Sequence, residues 1–195
     1  MAFEAVDLAR RFAQLPADKR RLFLEQLAKR GIDFSILPIV PGATGDAATA
    51  PLSYSQRRMW FMRELGGDGA VQHISGGLRL GGALDRAALE AALTGLIARH
   101  EGLRTVFRRL PGGEAEQCIA AAAEMPLAFA DLSDLPDAQR QARLAALSAE
   151  EARQPFNLEA GPLLRATLVK LRADSHVLLL TMHHIVSDGL SLIHI

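Results

Sequence analysis

Cysteine is almost absent: Cys118 stands alone, so no internal disulfide can form, and the chain suits a reducing compartment. Net charge is absent too, since Lys plus Arg and Asp plus Glu both number 22. That balance excludes the overall field that would draw nucleic acid or an anionic membrane. The pairs Arg20-Arg21 and Arg108-Arg109 read as solvated faces rather than binding patches. No apolar run is long enough to span a bilayer, and the first 25 residues alternate charge with apolar groups instead of forming a secretory signal. Internal repeats and low-complexity tracts are also lacking. These absences leave a soluble protein, expected in the cytoplasm. Its 195 residues are ample for one core or for one sizeable half of a larger fold.

The pattern of apolar residues divides the chain unequally. Residues 1–41 begin with two helical patterns. The first uses Phe3, Val6, Leu8, Ala9 and Phe12 and breaks at Leu15-Pro16; the second runs from Ala17-Asp18 through Leu22, Phe23, Leu24 and Leu27 to a stop at Gly31. Residues 42–50, rich in Gly, Ala and Thr, read as a flexible linker. From Pro51 to Ile195 helices and strands alternate, which predicts an α/β sandwich. Ser53 caps a helix to about Leu65, and Asp85 caps one carrying Leu89, Leu93, Leu96 and Ile97. Strands are expected at His73–Leu80, Leu103–Leu110, Glu116–Ala120, Leu164–Leu171 and Ser175–Met182, with a hairpin at Pro111-Gly112-Gly113 and a helix over 137–152.

The last of these strands leads into Met182-His183-His184-Ile185-Val186-Ser187-Asp188-Gly189. Successive side chains alternate across a strand, so the two histidines face opposite ways, one into a cleft and one back into the protein. A histidine accepts a proton readily near neutral pH, because its ordinary pKa is about 6.5. Asp188 follows four residues after His184, and Gly189 lets the backbone turn sharply; a helix is expected to start near Ser187 or Asp188. The constellation points to acyl transfer. Zinc is the other chemistry open to His and Asp, but no third ligand lies nearby in sequence, so no metal site is assigned. No serine or cysteine nucleophile stands beside a base, which favours direct transfer over an acyl-enzyme.

Four segments in order carry a family resemblance. His183 to Gly189 fits HHxxxDG, and Ser53-Tyr54-Ser55-Gln56-Arg57-Arg58-Met59-Trp60 resembles SxAQxR(L/M)(W/Y), with Ser55 in place of alanine. Arg99 to Phe107 is similar to RHExLRTxF without departure, and Phe156 to Arg165 is similar to FDLxxGPLxR, with Asn157 for aspartate. The chain thereby resembles the condensation domains of nonribosomal peptide synthetases. The resemblance implies the N-terminal lobe of a chloramphenicol-acetyltransferase-like fold. The implied activity is amide-bond formation between two thioesters borne on phosphopantetheine arms of carrier proteins. No cofactor is expected on this chain. The implied partners are upstream and downstream carrier domains and an adenylation domain, with neither nucleic acid nor membrane.

The same resemblance distributes roles. His184 is the implied catalytic residue, either as general base or as a group that positions the amine and stabilises the tetrahedral state. His183 is a plausible helper with a mainly structural part. Asp188 is implied to pair with Arg165, fixing the turn that aims His184, and Gly189 to leave room beside the pantetheine arm. Met59, Trp60 and Met62 are expected in the core, Arg57 and Arg58 in surface ion pairs, and Cys118 inert. His73 and His176 have no suggestive neighbours. The N-terminal helical pair reads as a brace on the following domain or as a docking element for an upstream partner, the former being favoured.

Members of this family enclose their active site between two lobes, and this chain ends at Ile195, six residues past Gly189. Leu190 stands where tryptophan is usual, and Ser191 to Ile195 resembles translated adapter sequence. Residues 190–195 are therefore expected to be foreign, and the chain, lacking the C-terminal lobe, to be inactive alone. Two other readings remain: an ester-forming acyltransferase of the same superfamily, and a non-catalytic lobe that only binds a carrier protein.

Overall fold

The computed structural model describes residues 2–38, 40, 49–66, 72–121 and 124–188. Gly189 and residues 190–195, which carry expectations from the sequence, lie outside that set, as does most of the linker. The chain forms two compact units, Met1–Gly45 and Asp46–Ile195.

In the first unit, α1 (Ala2–Gln14) and α2 (Ala17–Lys29) meet at Pro16, which lacks an N–H and suits the start of a helix. Gly31, at φ +70°, ends α2 in a conformation that an L side chain resists. Phe12 packs against Phe23 and Phe34 with ring centroids 5.9 and 4.5 Å away. The Arg20 guanidinium lies over the Phe12 ring and donates to the Leu15 carbonyl at 3.0 Å, tying the two helices at their joint.

The second unit contains two sheets. The smaller has the order β1 (Thr49–Pro51), β4 (Ala115–Ile119), β3 (Thr105–Arg109), all antiparallel. Thr49 and Ala50, expected in the linker, instead pair with Cys118 and Gln117. The Gln117 side chain donates to the Pro51 carbonyl at 3.0 Å, and a proline is tolerated there because β1 is an edge strand. Strand β3 starts later than the apolar run suggests, since Glu101–Arg104 forms a 3-10 turn.

The larger sheet has the order β2 (His73–Gly81), β7 (Ser175–His183), β6 (Leu164–Arg172), β5 (Leu127–Asp131). Only the β5–β6 pair is parallel, and α5 (Asp137–Arg153) supplies the crossover. The sequence reading left β5 out. Its five residues, Leu127-Ala128-Phe129-Ala130-Asp131, follow Pro126 in a run too short to stand out, and they pair with the edge of β6.

Strand periodicity sorts the core. Leu164, Ala166 and Leu168 of β6, with Leu178 and Met182 of β7, pack against Leu93 and Ile97 of α4 (Arg86–Arg99). Val169, Leu171, Val177 and Leu179 point the other way, toward Leu144 and Leu147 of α5. This is the α/β sandwich expected of a chloramphenicol-acetyltransferase-like lobe. A third cluster joins Trp60 of α3 (Tyr54–Glu64) to Phe107, Phe156, Leu158, Leu163 and Ile185, so the segment after β7 is part of the core. Gly161 lies between two members of that cluster at φ +63°, and a Cβ there would come within 3.1 Å of Val106 Cγ1. Among the described residues no helix is long and apolar enough to cross a membrane.

Candidate functional site

Strand β7 carries its alternation to His183, whose side chain falls on the α5 face and is 2% exposed. His73 stands opposite it across the sheet, with ring centroids 5.8 Å apart, and Phe156 closes the group edge-on at 6.0 Å. Burial pushes the His183 pKa down to about 4, helped by the charges of His73, His184 and Arg63. His183 is therefore neutral at physiological pH. Its Nδ1 accepts the Ile185 N–H at 3.1 Å, which leaves the ring proton on Nε2. His73 holds its proton on the other nitrogen, because Nδ1 lies 2.9 Å from the Ala152 carbonyl and a carbonyl only accepts.

His184 turns out of the strand, its N–H donating to the Gln72 carbonyl at 2.8 Å. Its side chain lines a cavity of about 340 Å³ with Ser53, Ser55, Gln56 and Met59 from the start of α3, and with residues 185–188. His184 Nδ1 and the Ser187 hydroxyl are buried and meet no hydrogen-bonding partner among the described residues. Buried polar atoms are nearly always bonded, so this cavity presents a ring nitrogen and a hydroxyl to whatever enters it. His184–Val186 form a turn and Ser187 and Asp188 are not helical; the helix expected to start there would lie outside the described residues. The Ile185 N–H and carbonyl are taken up by His183 and Gln56, which holds that peptide in a turn.

Arg165 is engaged differently from what the resemblance implies. It lies opposite Thr181, on the face toward α5. There the last turn of that helix offers the Glu151 carboxylate at 3.3 Å and the carbonyls of Glu151 and Gln154 at 2.9 and 2.7 Å. The guanidinium stacks on Phe156 at 3.8 Å, and Glu151 also accepts from Thr167 at 2.6 Å. A helix C-terminus is a natural seat for a cation. Arg165 thus supports the site through Phe156, which seats His183. Asp188 lies at the exposed rim of the cavity.

Two participants escaped the sequence reading. His73 has no suggestive neighbour in sequence, and only the β2–β7 register brings it to His183. Gln56 carried a signal, the Ser53-x-x-Gln56 spacing of a capping box. Nothing in that spacing pointed to Ile185.

A buried strand thus delivers one histidine inward and the next to a polar cavity, in a lobe of the α/β class. The family model for the condensation domain matches residues 46–194, and the chain belongs to that family, the condensation domains of nonribosomal peptide synthetases. It is 42% identical over 189 residues to the phosphinothricin tripeptide synthetase PhsC of Streptomyces viridochromogenes, covering 95% of this chain and 17% of that protein. It is 46% identical over 140 residues to the malpibaldin synthetase of Mortierella alpina, covering 72% of this chain and 2% of that protein. The starter condensation domain of rhizomide synthetase RzmA superposes with a TM-score of 0.65 at 30% identity, over 74% of this chain and 36% of that one. The chain therefore spans about a third of the solved condensation domain that it matches, and a much smaller share of the synthetases.

Proposed function

We propose that this chain is the histidine-bearing lobe of a domain that joins two carrier-bound aminoacyl or peptidyl thioesters through an amide bond. The amine nitrogen attacks the thioester carbonyl, the C–S bond breaks, and the pantetheine thiol departs with the proton that the amine sheds. His184 acts on that amine, as the group that takes the proton or as the one that orients it, and the departing thiolate receives the proton in turn. The observation that carries this reading is the buried His184 Nδ1, without a hydrogen-bonding partner among the described residues, on the wall of a polar cavity. His183 is neutral and holds the turn, Asp188 lines the cavity after it, and Gly189 carries the role the resemblance implies, leaving room beside the pantetheine arm. The chain itself holds no cofactor; phosphopantetheine arrives with the upstream and downstream carrier domains. Since the lobe spans 36% of the RzmA domain, the remainder of the domain encloses the substrates, and the lobe alone does not turn over.

Condensation by the intact module, followed by mass spectrometry of the carrier-bound product, tests the reading. His184→Ala is expected to lower the rate about 10²–10⁴-fold while the module remains folded. Wild-type rates in that variant refute the role of His184. An acceptor bearing a hydroxyl in place of the amine distinguishes ester formation, and carrier binding without product supports the non-catalytic reading.

A further inference from the structure

We infer that Gln56 is a positioning residue for His184, acting through the peptide of Ile185. This inference rests on the role of His184 proposed above only for its kinetic consequence. Gln56 sits in the first turn of α3, where its Oε1 accepts the Ser53 N–H at 2.9 Å and its own N–H donates to Ser53 Oγ at 3.2 Å. A capping box uses no more of the side chain than that. Here the other end of the amide is used as well. Gln56 Nε2 donates to the Ile185 carbonyl at 3.3 Å and to Gln117 Oε1 at 3.1 Å. Gln117 in turn donates to the Pro51 carbonyl at 3.0 Å.

Three partners thus meet on one amide: the Ser53 N–H, the Ile185 carbonyl and the Gln117 side chain. The orientation of the Gln56 amide follows from its neighbours: reversed, it would set its oxygen against the Ile185 carbonyl and its NH₂ against the Ser53 N–H. Ile185 is then held from both sides, its N–H by His183 Nδ1 at 3.1 Å and its carbonyl by Gln56. His184 lies between the strand and this pinned peptide, and its N–H is fixed by Gln72. With three consecutive anchors on the backbone, the ring has little freedom except rotation about its own side-chain bonds. Gln56 also lines the cavity that His184 faces, so the clamp and the reacting space share a wall.

Gln56→Glu separates the two functions. A carboxylate still accepts from Ser53, which preserves the cap, but it has no N–H for Ile185. Gln56→Met removes both at similar volume. Asp85→Ala, which removes the cap of α4 far from the histidine turn, is the control for mere loss of helix stability. The readouts are the His184 ring ¹⁵N and ¹³C resonances in the 195-residue chain and single-turnover condensation by the intact module.

Both Gln56 variants are expected to shift the His184 ring resonances and to lower kcat about 10–100-fold, with KM changed less than about twofold. Asp85→Ala is expected to lower Tm without moving those resonances. Unmoved resonances and a wild-type kcat in Gln56→Glu overturn the assignment, and so do shifts that Asp85→Ala reproduces. If the wild-type module makes no amide, the proposed reaction fails, and the resonances alone decide whether Gln56 positions His184.

Discussion

His73 and His183 face each other across neighbouring strands with their rings 5.8 Å apart, yet they carry their protons on different nitrogens. His73 keeps Nδ1–H for the Ala152 carbonyl, and His183 keeps Nε2–H because its Nδ1 accepts from Ile185. Neutral His183 is a polar filling at the end of the buried strand β7, and the tautomers of the two rings follow from two backbone groups. That arrangement works only while His183 Nδ1 is free to accept from Ile185.

Acid therefore acts on the fold before it acts on the carboxylates. The folded pKa of His183 is about 4, below the ordinary 6.5, so the unfolded chain binds more protons between those values. The stability due to neutral His183 is fully present above about pH 6.5 and is lost as the pH falls toward 4, by up to about 3 kcal/mol. Asp131 is held low by Ser133 and Lys170, and Asp137 by Arg172 and Arg140, so both lose stability only below the ordinary carboxylate range. Urea denaturation across pH 4–7 is expected to show a rising midpoint, and His183→Asn, which keeps an acceptor for the Ile185 N–H, to flatten it. An unchanged slope in that variant would remove His183 as the cause.

Arg165 and Glu151 are expected to be energetically coupled. Their side chains are 18% and 19% exposed, and removing either leaves a poorly solvated charge. Arg165→Met should destabilise the fold by about 2–4 kcal/mol, and a double-mutant cycle with Glu151→Gln should return a coupling of about 1–2 kcal/mol. Strict additivity would assign Arg165 to its stacking on Phe156 alone.

Gly161→Ala carries two separable penalties. The positive φ disfavours any L side chain, and the new methyl meets Val106 at 3.1 Å. Equilibrium unfolding should show a loss of about 1–3 kcal/mol. Adding Val106→Ala should relieve the steric share and leave the backbone share, measured against Val106→Ala by itself.

Ser187 is 6% exposed, and its hydroxyl meets no partner among the described residues. Replacing such a group with alanine is expected to be neutral or to stabilise by about 1 kcal/mol. If the hydroxyl contacts substrate, Ser187→Ala also slows condensation. A clear loss of stability would show that the hydroxyl is satisfied within the fold.

Much of this was legible in the residues. Ser53 and Asp85 announce their helices because a short side-chain oxygen satisfies an otherwise unpaired N–H, and both caps are made. Strands β6 and β7 showed as apolar runs because both their faces are covered. That the two histidines face opposite ways follows from strand alternation and is visible in the order of residues, whereas the choice of His184 for the cavity came from the family resemblance. What stayed hidden depends on pairing between distant segments. Strand β5 is too short a run to announce itself, and Thr49 and Ala50 become strand only because β4 has a free edge. The contact of Arg165 with Glu151 stayed hidden for a related reason: the sequence names a cation and several carboxylates, and the register decides which meet.

The hydrogen bond from Gln56 to the Ile185 carbonyl joins positions 129 residues apart. Recombination between two related synthetases at a crossover point anywhere between those positions would take the amide from one parent and the histidine turn from the other. A hybrid module inherits a correctly aimed histidine only when both halves of that joint agree. Crossover points placed before Ser53 or after Asp188 leave the joint whole.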